Sequence, residues 1–255
     1  MGKGIHSRRR KKIQGLGVKS AAIYKISDLD FRHFITKTSR AIIPIGSLEQ
    51  HGAHLPVSTD SLITEYIAKV IAEKVPSFIL PVISYGVSYE HKPRFNLSLR
   101  NCTLSNMIND VCISLVENGV KEIILLNGHH GNMGVLQYIG QNLYEKVPGD
   151  IKIYTINYWH LMQSEFDHAG NVETSLVLAI APDLVKMERA KPNSKKLSKS
   201  KVTYSSITNN PGYFLKITGN GVWGDPRNAT SQKGRKLLDE IVKNLSKTIL
   251  ELEKY

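Results

Sequence analysis

Apolar residues recur along this chain in two alternating rhythms. Short, largely apolar segments at 41–45, 78–83, 122–126 and 151–156 have the length and β-branched content of strands. Between them the apolar positions space out as on one face of a helix. In 61–75 they fall at Leu62, Ile63, Ile67, Val70 and Ile71. Further helices are predicted over 104–117, 132–146 and 173–180, the last stopped by Pro182. A long amphipathic helix is predicted over 236–253, with Leu237, Leu238, Ile241, Leu245, Ile249 and Leu252 on one side. Strand–helix alternation of this kind predicts an α/β fold with a mainly parallel sheet and helices on both faces. In such folds the loops at the C-terminal strand ends form the active site.

Composition narrows the setting. Of 255 residues, 41% are hydrophobic, enough for a sizeable core. No apolar run approaches the roughly 18 residues of a membrane span, and no N-terminal stretch reads as a signal peptide. Cys102 and Cys112 fall on one predicted helix, about 15 Å apart, too far for a disulfide. A reducing, cytoplasmic location is expected. The net charge of +12 is concentrated: residues 1–20 hold seven Lys/Arg and no acid, and residues 186–201 hold seven with Glu188 as the one acid. The remainder is close to neutral. We therefore expect a solvated, disordered basic tail over 1–20, a single domain over 21–255 and a solvated loop at 186–201. An RNA-binding α/β protein using the Arg8–Lys12 run is the non-enzymatic rival. It lacks the basic face with aromatic or groove-reading elements that nucleic-acid binding needs.

The chemistry lies in four turns. The first, 46–60, follows the strand at 41–45 and holds Glu49, His51, His54 and Asp60. Glu49 and His51, two apart in extended chain, face one side and can reach one centre. A carboxylate such as Asp60 can bridge two ions; its structural alternative is to cap the following helix. Carboxylates and imidazoles just past a strand have the makings of a divalent-metal site. His54 reads as a group that fixes a ligand or touches substrate. The second turn, Asn127-Gly-His-His-Gly-Asn132, offers His129 and His130, with Asn132 opening a helix whose N–H groups favour an anion. The third, 167–174, contains His168 and Glu173, candidates for acid–base work, with Glu173 also a second-metal ligand or a support for the helix cap. The fourth, 221–230, brings Trp223, Asp225 and Arg227 to a pocket wall or a subunit contact.

Together these stretches resemble the creatininase family of metal-dependent amidohydrolases. The resemblance rests on Gly-Ser-Leu-Glu-Gln-His-Gly-Ala-His-Leu-Pro at 46–56 with Asp60, Asn-Gly-His-His-Gly-Asn at 127–132, His-Ala-Gly-Asn-Val-Glu-Thr-Ser at 168–175 and Gly-Val-Trp-Gly-Asp-Pro-Arg at 221–227. It implies a three-layer α/β/α sandwich, homo-oligomers (often hexamers) and one or two divalent ions per subunit, with Zn, Fe or Mn as candidates. Glu49 and His129 would hold one ion, His51 the other, and Asp60 would bridge them. One departure is visible: creatinine hydrolase has a carboxylate at the position of Gly131. Either Glu173 replaces it, or a second ion is weak or absent. The resemblance implies cleavage of a non-peptide C–N amide bond in a small molecule, with a nucleotide among the candidates. Deformylation of a formamidopyrimidine ribonucleotide, as in archaeal riboflavin and deazaflavin synthesis, is the favoured branch. Hydrolysis of creatinine to creatine and a peptidase acting on the mycofactocin precursor are the alternatives. For a nucleotide, the phosphate is expected near Asn132 or the loop holding His91, Lys92 and Arg94.

Overall fold

The computed structural model describes residues 21–195 and 210–254. The expected tail at 1–20 and the end of the basic loop, 196–201, lie outside the described residues. Five parallel strands form one sheet: β1 (Ala21–Ala22), β2 (Arg40–Ile45), β3 (Phe78–Ile79), β4 (Glu122–Asn127) and β5 (Lys152–Asn157), in the order β1-β3-β2-β4-β5. The helices are α1 (Asp28–Phe34), α2 (Thr59–Lys74), α3 (Asn101–Glu117), α4 (Met133–Leu136), α5 (Ile139–Leu143), α6 (Asn171–Ile180), α7 (Tyr213–Thr218) and α8 (Ser231–Leu252).

Side-chain alternation in the strands builds two cores, one on each face. Ile42, Ile124, Leu126 and Ile156 pack against α2, α6 and α8, through Ile63, Ile67, Leu176, Leu238 and Ile241 among others. Ala41, Ile43, Ile45, Ile123 and Leu125 pack on the other face against α3, α4 and α5, through Leu104, Ile108, Leu136 and Ile139. The central strands β2 and β4 read as near-continuous apolar runs because both faces are covered. This is the three-layer α/β/α arrangement with a parallel sheet. At the N-terminal ends of the central strands, buried Arg40 ties β2 to β4 and the terminal segment, its guanidinium meeting Glu122 at 2.9 Å and Glu253 at 2.6 Å.

Several expected elements differ in extent. The strand predicted over 78–83 pairs regularly only at Phe78–Ile79, with one further bridge from Ile45 to Ile83. The helix predicted over 132–146 is broken into a 3-10 turn (His130–Asn132), α4 and α5. Gly134 and Gly140 lie inside it, and each costs about 1 kcal/mol of helix propensity relative to Ala. The long terminal helix starts earlier, at Ser231, where the Thr230 side chain accepts from Lys233 N. Both cysteines lie on α3, unpaired, as their spacing predicts. No helix among the described residues is long and apolar enough to cross a membrane.

Candidate metal centre

The centre sits beyond the C-terminal ends of β2 and β4, which pair in register so that Ile45 lies beside Asn127. Each chain leaves its strand through a glycine with no room for a side chain. A Cβ at Gly46 would lie 2.6 Å from the Ser61 backbone, and one at Gly128 would strike Thr64 Oγ1. The first turn of α2 therefore nests between the two exits and delivers Asp60 to both. The Asn127 side chain accepts from His129 N at 3.0 Å and donates to Asn157 at 2.8 Å, fixing the second exit.

Glu49, His51, Asp60, His129 and Glu173 converge here, all buried. His51 Nδ1 lies 3.0 Å from the Glu49 carbonyl, which turns Nε2 toward Asp60 Oδ1 at 3.0 Å and Glu173 Oε2 at 3.7 Å. Asp60 Oδ2 faces His129 Nδ1 at 3.1 Å, and Glu49 Oε2 lies 3.2 Å from His129 Nε2. Ser47 Oγ donates to Glu49 Oε2 at 3.0 Å. Three overlapping groups could each hold an ion, their donor atoms within 4.8 Å of one another: Glu49–Asp60–His129, His51–Asp60–Glu173 and Glu49–His51–His168. Asp60 is thus no helix cap. Ser58 occupies that position, and the Asp60 carboxylate turns inward. Asp167 supports the start of α6 instead, accepting from Val172 N at 2.8 Å and Glu173 N at 3.2 Å, while Glu173 Oε2 accepts from Ala169 N at 2.6 Å.

The residues fit a cation. Glu49 Oε1 and Asp60 Oδ2 are buried acceptors with no hydrogen bond of acceptable geometry, an unusual situation in a protein interior. The proton balance points the same way. Burial alone would lower the His51 pKa, but Asp60 above all, then Glu173 and Glu49, raise it to about 10. Against the same burial, Glu49, Asp60 and Glu90 raise His129 to about 10. Burial pushes Glu173 up to about 8. Protons are here doing the work of positive charge among carboxylates, work a divalent ion performs once its ligands deprotonate.

The other predicted residues divide. His130 and His168 line the small cavity over the centre, about 20 Å³ in volume, with Phe166 and Phe214 as aromatic walls. His54, Asn132 and Trp223 are not among its lining residues. His54 Nε2 lies 3.0 Å from Thr174 Oγ1, and burial lowers its pKa to about 4. The Asn132 amide bridges Gly46 O and Val87 N at 3.0 and 2.9 Å. With the helix after it broken, the anion site expected there loses its dipole. Trp223 exchanges two backbone hydrogen bonds with His168, at 3.1 and 2.7 Å, and so sets that histidine's position. Asp225 and Arg227 pair with each other at 2.6 Å, largely exposed.

Sequence reasoning missed Glu90 and gave His91 only a place in a phosphate-binding loop; both line the cavity. His91 Nε2 lies 2.9 Å from Glu49 Oε1, and its ring centroid is 4.8 Å from those of both His168 and Phe214. A Glu-His pair two residues before a Pro was the available signal, but His91 was read only with Lys92 and Arg94, as a contact for phosphate. At Gly131, where a carboxylate was implied, a Cβ would lie 2.8 Å from Glu90 Oε1. A larger cavity of about 510 Å³ lies among Ile23, Ile26, Phe31 and Leu80, with no imidazole in its lining.

The family model for creatininase (creatinine amidohydrolase) matches residues 25–249. The chain belongs to the creatininase family. Among creatininase-family relatives, the creatinine amidohydrolase of Pseudomonas putida is 26% identical over 235 residues, covering 82% of this chain and 88% of that protein. The mycofactocin precursor peptide peptidase of Mycobacterium tuberculosis is 31% identical, covering 79% and 80%. A 2-amino-5-formylamino-6-ribosylaminopyrimidin-4(3H)-one 5'-monophosphate deformylase of Methanothermus fervidus is 29% identical over a shorter stretch, 56% of this chain and 57% of that one. A structure of a manganese creatininase superposes with a TM-score of 0.78 at 22% identity, covering 91% of this chain and 98% of its own, which establishes the shared fold.

Proposed function

We propose that this chain hydrolyses the amide C–N bond of a small molecule at a centre of one or two divalent ions. The observation that carries the reading is Asp60, whose two oxygens face two different imidazoles inside a buried cavity. Glu49 and His129 would hold one ion, His51 and Glu173 the other, and Asp60 would join them. Nitrogen and oxygen donors together suit Zn, Mn or Fe. Ions at such a centre make water a nucleophile at neutral pH and polarise a carbonyl.

The chain's own residues supply positioning and proton transfer. Ser47 Oγ donates to Glu49 Oε2, and His91 Nε2 stands 2.9 Å from Glu49 Oε1. His168 is the proton carrier to the departing nitrogen. With Nε2 directed at the Gln50 carbonyl (3.1 Å), its Nδ1 is left facing Glu49 Oε1 at 3.9 Å. Burial above all holds its pKa well below the usual histidine range, so the ring starts neutral. Phe166, Phe214 and His130 line the cavity over the centre.

As the specific substrate we carry forward the formamidopyrimidine ribonucleotide, supported by the likeness to the deformylase over 56% of this chain. The exposed Lys92 and Arg94 beside His91 suit its phosphate. Creatinine is the second candidate, supported by likeness over 82% of the chain. A homo-oligomer, hexameric by family resemblance, completes the reading. The test is formate release from the formamidopyrimidine nucleotide by protein loaded in turn with Fe(II), Mn(II) and Zn(II), with creatinine assayed in parallel. Metal-dependent formate release is the expected result. Turnover of creatinine alone would move the chain to that branch, and turnover without metal would overturn the centre.

A further inference from the structure

Glu90 is an acid with no part in the centre as built so far. It comes from the loop between β3 and α3, outside all four histidine- and glycine-rich turns. Its side chain is only 8% exposed, and it lines the cavity. Oε1 stands 3.8 Å from His129 Nε2 and 3.9 Å from His91 Nε2, beyond hydrogen-bonding distance of both. The carboxylate therefore orients neither ring. Burying a carboxylate without a bonded counter-charge is costly.

The spacing around His129 has another meaning. Two donors on one ion, with bonds of about 2.0–2.2 Å, stand roughly 3–4 Å apart. Around His129 Nε2, Glu49 Oε2 lies at 3.2 Å and Glu90 Oε1 at 3.8 Å. The neighbouring chain is shaped to admit Glu90. A Cβ at position 131 would strike the Val87 carbonyl and lie 2.8 Å from Glu90 Oε1, so any side chain there would push the Glu90 loop away. That loop is held at Val87, whose N–H donates to Asn132 Oδ1 at 2.9 Å; the Val87 carbonyl, 2.8 Å from His129 Nε2, is the partner that nitrogen exchanges for the ion. We propose that Glu90 is a ligand to the ion held by Glu49 and His129, and that Gly131 keeps its approach open. The proposal rests on the metal-centre reading.

Calorimetric titration of Zn(II) and of Mn(II) into chelator-stripped full-length protein tests it, comparing wild type, Glu90→Gln and Glu90→Asp. Glu90→Gln keeps the shape and removes the charge. It is expected to weaken one class of bound ion by at least about 10–100-fold, while the stripped protein keeps its circular dichroism and melting temperature. Glu90→Asp is expected to recover part of that loss. Identical stoichiometry and affinities within about twofold in Glu90→Gln would overturn the assignment of Glu90 alone. Should Glu90→Gln fail to fold, Glu90→Asp is read against wild type: a fivefold or greater loss supports the assignment, and unchanged binding sinks it. A wild-type protein that binds neither metal would remove the metal centre itself, and Glu90's role with it.

Discussion

His51 Nε2 lies 3.0 Å from Asp60 Oδ1 at the two ends of a single loop, nine positions apart. The other Asp60 oxygen is given to His129, delivered by a different strand. One carboxylate from the first turn of a helix thus joins two halves of a centre that the chain builds separately.

Asp60→Asn should damage both halves at once. Loss of the shared charge is expected to weaken all divalent-ion binding by at least about a hundredfold and to abolish measurable turnover. His129→Ala is expected to remove the ion on the Glu49 side together with activity. Metal content after gel filtration, set against activity of the same fractions, reads both variants. Full activity in His129→Ala would reject the assignment.

Ion removal should also lower thermal stability. A ligand at a hundred times its Kd stabilises by about 2.7 kcal/mol. For a chain of this length each kcal/mol is worth roughly 2–4 °C, so restoring metal should raise Tm by about 5–10 °C. Differential scanning calorimetry of stripped and reloaded protein gives the comparison. An unchanged Tm would mean that no ion is held tightly in the native state.

The Arg40 cluster should respond asymmetrically. Glu122 is 13% exposed, whereas Glu253 is 46% exposed. Arg40→Met leaves Glu122 buried without its partner and should cost about 3–5 kcal/mol. Glu253→Gln breaks a half-exposed contact and should cost less than about 1 kcal/mol. Urea denaturation of the two variants tests the ordering. Equal losses would contradict it.

Gly234→Ala sets two effects against each other. Alanine is the better helix former by about 1 kcal/mol. A Cβ at 234, however, would strike the Ser175 carbonyl of α6 and come 2.9 Å from Ala179 Cβ. Overpacking of this kind typically costs about 1–3 kcal/mol, and the obstacle is backbone. The clash should win, lowering Tm by several degrees. A rise in Tm would show that α8 slides freely over α6.

Much of this was legible in the chain. The strands at β2, β4 and β5 and the helices α2, α3 and α8 stand close to where apolar periodicity puts them, because each is long enough to repeat its period. β1, with two residues, and α7, with six, are too short to carry one. The break in 132–146 reflects glycines whose cost is overridden in some helices and not in others, a choice tertiary packing makes. Glu49, His51, Asp60 and His129 were visible because each lies in a turn directly after a strand or at a helix start, where local spacing and fold class agree. Glu90 and His91 lie in a loop without that pattern. The Asn132–Val87 clamp and the Gln50–His91 hydrogen bond bring them to the cavity, and no local spacing encodes contacts across 45 and 41 positions. Trp223 shows the converse: a conspicuous side chain whose backbone does the positioning.

The nested exits at Gly46 and Gly128 have a consequence for how the protein could change. Four of the converging donors hang from the ends of β2 and β4 and the first turn of α2, an arrangement with no slack. The aromatic wall, by contrast, comes from Phe166 and Phe214, in a loop and a six-residue helix outside the sheet. A library confined to those outer segments would sample new substrate shapes while leaving the reactive floor alone. Such a division of labour lets one scaffold be refitted for a different amide without relearning how to cut it.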